Sequence, residues 1–235
     1  MINTAARPAG KIGLVDIGVI QETDRWIAVN KPAGIQVERN PFGASVESLV
    51  YAHLEQEKRI PYVGIAHRLD RVTTGLVLVA KKKSMLRKLN DQFREKDIRK
   101  IYLAATEHPP PAAQGTLNHW LEKSQEKKKA LVREGPGGKA RECMTNYKTY
   151  GRTAQGYTLI QLEPITGRYH QLRAQLAAAG SPVVGDALYG AQTPYREQQI
   201  MLHAWKLEFF DDELENRLLV QAPLPDWAAD MPGII

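Results

Sequence analysis

The stretch HRLDRVTTGLVLVA, residues 67–80, joins two kinds of sequence at one point. Its second half, GLVLVA (75–80), is nearly all apolar, too short for a helix and suited to a strand buried in the middle of a sheet. Its first half sets one carboxylate, Asp70, between Arg68 and Arg71, ahead of a small-residue turn. The plain reading of R-x-D-R is a surface ion pair, which contributes little to stability. Any better reading must come from the rest of the chain.

Upstream, WIAVNKPAG (26–34) reads as a strand and its exit turn. Ser45 caps a helix over SVESLVYAHLEQEK (45–58), with Val46, Leu49, Val50 and Leu54 on one face. Downstream, Ser84 opens a second helix with Leu86, Leu89 and Phe93 inward and Arg87, Lys88, Arg94 and Glu95 outward. Residues 99–106, 142–150, 157–164 and 201–209 have strand character, and GPGG (135–138) is a loop between basic strands. RYHQLRAQLAAAG (168–180) predicts a helix ended by Gly180, with Leu172 and Leu176 buried. Arg173 falls at the margin of that face, where an arginine either aims into a cleft or snorkels to water. Strands that follow one another without intervening helices predict an α+β fold. The expected form is a mixed, mostly antiparallel sheet with flanking helices and loops, in one domain over 1–235.

At 235 residues the chain is long enough for a sizeable core. No apolar run approaches the roughly 20 residues of a membrane span. Asp16 interrupts the apolar N-terminal stretch, so no secretory signal is expected. The single cysteine, Cys143, excludes an intramolecular disulfide and a CxxC site. A cytoplasmic protein is expected. The net charge of +6 is concentrated: residues 81–100 hold nine Lys/Arg against three Asp/Glu, and the rest balances at 23 against 23. Residues 123–141 add seven bases against two acids, whereas 207–230 carry seven acids and one base. Clustered base is the footprint of a nucleic-acid binder, or else the solvated face of a Lys-rich helix. GPGGKA departs from a phosphate loop, with Arg133 at the first glycine position and Ala140 after the lysine. The histidines are scattered without zinc spacing, so no metal is expected.

At this point HRLDRVTTGLVLVA resembles the active-site segment of the RluA-type RNA pseudouridine synthases. VNKPAG (29–34), FREKDIRKIYLA (93–104), PITGRYHQLRAQLAAAGSPVVGDALYG (164–190), MLHAWKLEF (201–209) and APLP (222–225) follow in the family's order. The resemblance implies the pseudouridine-synthase catalytic-domain fold, RNA as partner, no cofactor, and isomerisation of uridine in structured rRNA or tRNA. It implies Asp70 as the catalytic aspartate, Tyr102 as the active-site tyrosine, and Arg173 as the base that pairs with the aspartate. Arg68 matches the arginine inserted into the stack when a base leaves, and His67, Arg71, Lys100, Arg168 and His170 are expected to contact RNA. Thr74 stands where serine is usual, and GKARECMTNY diverges from the commoner form of its block. Only 23 residues precede Asp24, too few for an S4-type RNA-binding domain, so 1–23 is read as an extension of a monomeric, catalytic-domain-only protein. That points to a small, accessible stem-loop, such as one in tRNA.

The implied chemistry wants these residues. The N1–C1′ bond breaks, the uracil turns and rejoins through C5, and no water or redox cofactor enters. A single carboxylate beside C1′ then suffices where a glycosidase needs two. Burial raises a carboxylate's pKa and a buried arginine lowers it again. Extended backbone at 67–70 would put Arg68 and Asp70 on one face, one to replace the flipped base and one to meet it. The alternative is an RNA-binding or RNA-chaperone module whose isomerase activity is secondary or lost.

Overall fold

The computed structural model describes residues 17–56 and 60–229. Most of the expected N-terminal extension and the last two residues of the expected first helix lie outside them. The chain order begins with β1 (Gly18–Glu22), β2 (Trp26–Lys31), α1 (Val46–Glu55), β3 (Gly64–Ile65), β4 (Thr74–Ala80) and α2 (Lys83–Glu95). It continues with β5 (Arg99–Thr106), β6 (Gln114–Ser124), β7 (Lys129–Arg133), β8 (Arg141–Arg152) and β9 (Thr158–Pro164). Then come α3 (Gln171–Ala178), β10 (Leu202–Asp211) and β11 (Asn216–Gln221). The strands form a single sheet in the order β1-β2-β4-β10-β5-β9-β8-β6-β7, with β11 also on β10 and β3 also on β4. Only the β4–β10 pair is parallel, so the sheet is mixed and mostly antiparallel, as expected.

The apolar run of β4 is explained by two covered faces. Val77 and Val79 point into a cluster with Ile27, Val29 and the buried α1 residues Val46, Leu49, Val50 and Leu54. Leu76 and Leu78 point the other way, against Trp26, Phe209 and the α2 residues Met85 and Leu89. Period two along a doubly buried strand leaves no position for a polar residue. Helix α1 starts where Ser45 predicts it, with Ser45 and Ser48 capping each other's backbone N–H. Helix α2 starts one residue before Ser84, after Lys82, and has no side-chain cap.

The crossing of β4 and β10 fixes the site. A Cβ on Gly75 would lie 2.2 Å from the Ala204 carbonyl oxygen, and Gly75 also has φ +108°. Only glycine lets the two backbones approach this closely. Beside it, the Thr74 hydroxyl and His203 Nδ1 are 2.8 Å apart. On the same edge of β4, β10 pairs at Thr74–Gly75 and β3 at Val79–Ala80. Between them the Leu78 N–H donates to His67 Nε2 at 2.9 Å, so an imidazole stands in for a strand.

The basic strand expected ahead of GPGG is β7, whereas β6 and its pairing are not legible in the sequence. The exposed positions of β6 blur its alternation, and its ladder to β8, from Gln114–Lys148 to Leu121–Arg141, is made by distant residues. Helix α3 begins at Gln171, three residues later than predicted, because His170 sits in the left-handed region at φ 51°. It is buried on nearly every side: Gln171, Arg173 and Gln175 are as hidden as Leu172 and Leu176. Gln175 donates to the Leu117 and Cys143 carbonyls and accepts from Thr145, while Gln171 donates to Met144 and Thr145. These bonds seat a polar helix on β6 and β8 without unpaired groups.

Candidate active site

The loop 66–73, the start of α3 and strand β5 enclose a cavity of about 120 Å³, lined by Arg68, Asp70, Lys100, Tyr102, Arg168, His170 and Arg173. That is well below the roughly 300–1,000 Å³ of a drug-sized site and suits one flat ring. Asp70 is its one carboxylate. Broader grooves open on either side. One holds Glu38, Arg68, Arg71, Lys123 and Tyr169; the other holds Phe93, Arg94, Lys96, Lys100 and Arg168.

Arg173 and Asp70, 103 residues apart, meet at 3.1 Å from Nη1 to Oδ2. The arginine is not at a margin; it is 5% exposed. Its other two donors, Nε and Nη2, fork onto the two oxygens of Asp186 at 2.7 and 2.8 Å. Asp186 is 1% exposed and does not line the cavity, so it holds the guanidinium while Asp70 faces the opening. Although burial opposes the charge, the two carboxylates raise the Arg173 pKa, and the cation is permanent. Asp186 lies within PVVGDALYG (182–190), and sequence reasoning misses it. A lone acid in a Gly-Asp turn carries no signal until its partner is known.

Tyr102 is partly buried where the α1-side and α3-side clusters meet. Burial first, and the nearby Asp70 charge second, push its pKa up, so the hydroxyl stays protonated and the ring is its accessible chemistry. Lys31 is the other residue that sequence reasoning missed. It is fully buried, and Nζ donates to the carbonyls of Pro32, Ile35 and Arg71 at 2.9, 3.1 and 3.2 Å. Burial lowers its pKa to about 7 against the pull of Asp70. Three carbonyls match the three protons of an ammonium, so the charged form ties the Lys-Pro-Ala-Gly turn to the loop after Asp70.

The remaining expected residues divide. Arg68 and Asp70 both line the cavity and the first groove, and Arg68 reaches Glu38 at 2.8 Å across that groove. Lys100, Arg168 and His170 line the cavity. Arg71 lines the first groove, but its head bonds the Gly34 carbonyl and Gln198, bracing the turn. His67 does not join them: the alternation that turns Arg68 outward turns His67 inward, against Phe93 and onto Leu78. The contacts it makes in the structure are with β4 and with α2. The basic hairpin β6–β7 reaches the site, with Lys123 over the Tyr169 ring at 4.7 Å and the Ala130 N–H on the Tyr189 hydroxyl at 2.7 Å.

The profile of the RNA pseudouridylate synthase family matches residues 25–178. A Vibrio cholerae protein named ribosomal large subunit pseudouridine synthase C is 33% identical over 94% of this chain and 71% of its own length. The protein of that name from Escherichia coli O157:H7 is 33% identical over 91% of this chain and 68% of its own. The one from Buchnera aphidicola is 32% identical over 88% and 66%. The chain thus spans about two thirds of these relatives. Among solved structures, human RNA pseudouridylate synthase domain containing 4 superposes with a TM-score of 0.73 at 25% identity, covering 89% of each chain. Human RNA pseudouridylate synthase domain containing 1 shares the fold, with a TM-score of 0.75 at 23% identity over 94% of this chain and 89% of that one.

Proposed function

The chain belongs to the RNA pseudouridylate synthase family, and on that footing we propose that it converts uridine to pseudouridine in RNA, with Asp70 as the carboxylate that meets the ribose. One observation carries the reading: a single accessible carboxylate, held at 3.1 Å by a buried arginine, faces a cavity for one flat ring beside Tyr102. A glycoside hydrolase needs a second carboxylate for its water or leaving group. This cavity supplies none among the described residues, and an isomerase, whose leaving group stays bound, needs none.

The bond from C1′ to N1 breaks and a bond from C1′ to C5 forms, the C5 proton leaves, and N1 gains one. Asp70 stands at C1′ and C2′, as nucleophile or as acceptor of the C2′ proton. Tyr102 stacks on the uracil, a contact worth roughly 1–3 kcal/mol. Arg68 fills the place the base leaves, and Lys100 and Arg168 take phosphates. The relatives' names favour large-subunit rRNA over tRNA as the substrate for this chain.

Tritium release from RNA labelled at uracil C5 tests the reading, with separated rRNA and tRNA from a deletion strain and Asp70→Asn beside the wild type. Release from rRNA, lost in Asp70→Asn while RNA binding persists, is the expected result. Release from neither pool sinks it. Full rescue of a deletion strain's RNA-folding defect by Asp70→Asn would favour the chaperone alternative.

A further inference from the structure

We propose that His170 and Asp70 together seat the ribose 2′-hydroxyl of the target nucleotide and so select RNA over DNA, an inference that rests on the isomerase reading above. His170 Nε2 and Asp70 Oδ2 face each other at 3.8 Å, and both line the cavity and the adjoining groove. That separation is too long for a hydrogen bond between them.

The ring is fixed in place. His170 caps α3 in a left-handed conformation (φ 51°, ψ 27°) that turns the imidazole toward the cavity. Tyr169 stacks on it at 3.8 Å, and Tyr189 meets it edge-on at 5.8 Å.

The ring's partners favour one tautomer. The Ala130 N–H donates to the Tyr189 hydroxyl at 2.7 Å. The acceptor for that hydroxyl's own proton, among the described residues, is His170 Nδ1 at 3.1 Å. With that proton directed at it Nδ1 accepts, an arrangement that puts the ring proton on Nε2, the nitrogen that faces Asp70. Burial lowers the His170 pKa; Arg173 and Lys123 add to that, while Asp70 and Asp186 oppose it. That direction favours the neutral imidazole, with one N–H to give.

A donor and an acceptor 3.8 Å apart are both reached by one oxygen set to the side of the line between them. That oxygen must accept from Nε2–H and donate to the carboxylate. A hydroxyl does both, and the ribose hydroxyl next to C1′ is the 2′-OH, the group that distinguishes RNA from DNA. Bonded this way it brings C1′ up to Asp70, so His170 positions the substrate as well as selecting it.

The test uses a synthetic stem-loop around the uridine that the tritium assay maps, carrying uridine or 2′-deoxyuridine at that position alone. For the wild type, the deoxy substrate should lower kcat/KM about tenfold or more, the worth of a hydrogen bond to a charged group. His170→Ala should lower kcat/KM about tenfold on the ribose substrate, and its further loss on the deoxy substrate should shrink to about threefold or less, because the two changes remove one interaction. His170→Gln, which keeps a side-chain N–H, should recover part of the selectivity. Tyr189→Phe releases the tautomer but keeps the ring packing; it should narrow the selectivity too, and it stands in if His170→Ala does not fold. A wild type indifferent to the 2′-hydroxyl, or an unchanged ribose-to-deoxyribose ratio in the variants, overturns the inference alone. No tritium release from any RNA overturns the isomerase reading and this inference with it.

Discussion

At the scale of single residues, the site turns on how Arg173 divides its donors. Two serve the hidden Asp186 and one serves Asp70, so the carboxylates that share the cation have different fates when altered. Asp186→Asn leaves a buried guanidinium without its fork partner and should cost about 3–5 kcal/mol, read from a urea midpoint. Arg173→Met should cost as much for the mirror reason, leaving Asp186 buried and unpaired, so its lost turnover will not by itself report on chemistry. Asp70→Asn removes one bond at a cavity wall and should move stability by about 1 kcal/mol or less while abolishing turnover. Equal stability losses at Asp70 and Asp186 would mean that the division of labour is wrong.

At the scale of elements, the approach of β4 to β10 and the imidazole on the β4 edge are the vulnerable points. Gly75→Ala places a methyl against the Ala204 carbonyl and forces a non-glycine residue to φ +108°. A loss of at least about 3 kcal/mol is expected, again by urea midpoint; a well-folded alanine variant would show that the strands separate easily. His67 and His203 add acid sensitivity to the fold. Burial holds the His67 pKa down to about 3, with Lys100 adding to it, and burial holds His203 down to about 4. Both rings are neutral when folded, so below about pH 6.5 the unfolded chain binds more protons than the native one. Their contribution is whole above that pH and is lost as pH falls toward 4 and 3, at up to about 1.4 kcal/mol per unit per ring. His67→Gln should lower stability at pH 7 and flatten its decline between pH 6.5 and 4. A slope unchanged from wild type would remove His67 from the account.

At the scale of the whole molecule, the folded chain rearranges the charge that the sequence displays. The basic run 81–100 is partly neutralised: Lys81 pairs with Glu22, Lys88 with Asp212, Arg94 with Asp91 and Arg99 with Glu163. The acidic stretch supplies Asp212, and with Asp211 and Glu213 it also surrounds Arg25. Lys96, Lys100, Arg168 and Lys123 reach the grooves without an ion pair among the described residues. Replacing Arg168 or Lys123 by alanine should therefore reduce the salt slope of RNA binding by about 1 each. Lys82→Ala and Lys83→Ala, at the start of α2, should leave it unchanged. Equal effects at all four positions would mean that RNA lies along α2 rather than in the grooves.

The sequence by itself determined what local patterns can carry. GLVLVA specified a doubly buried strand because period two left no polar position, and Ser45 specified the start of α1 because a hydroxyl caps a helix from its own backbone. Asp70, Tyr102 and Arg173 were legible because ordered motifs marked them. Tertiary structure alone decided what depends on partners far along the chain. Asp186 acquires meaning only once α3 brings Arg173 over it, and His67 turns inward because the Leu78 N–H on the β4 edge needs an acceptor. Helix α3 buries Gln171 and Gln175 because carbonyls on β6 and β8 satisfy them, which no amphipathic count along the helix reveals. Periodicity records which face of an element is apolar. It does not record where a buried polar group will find its hydrogen-bond partner, and in this protein those partners build the site.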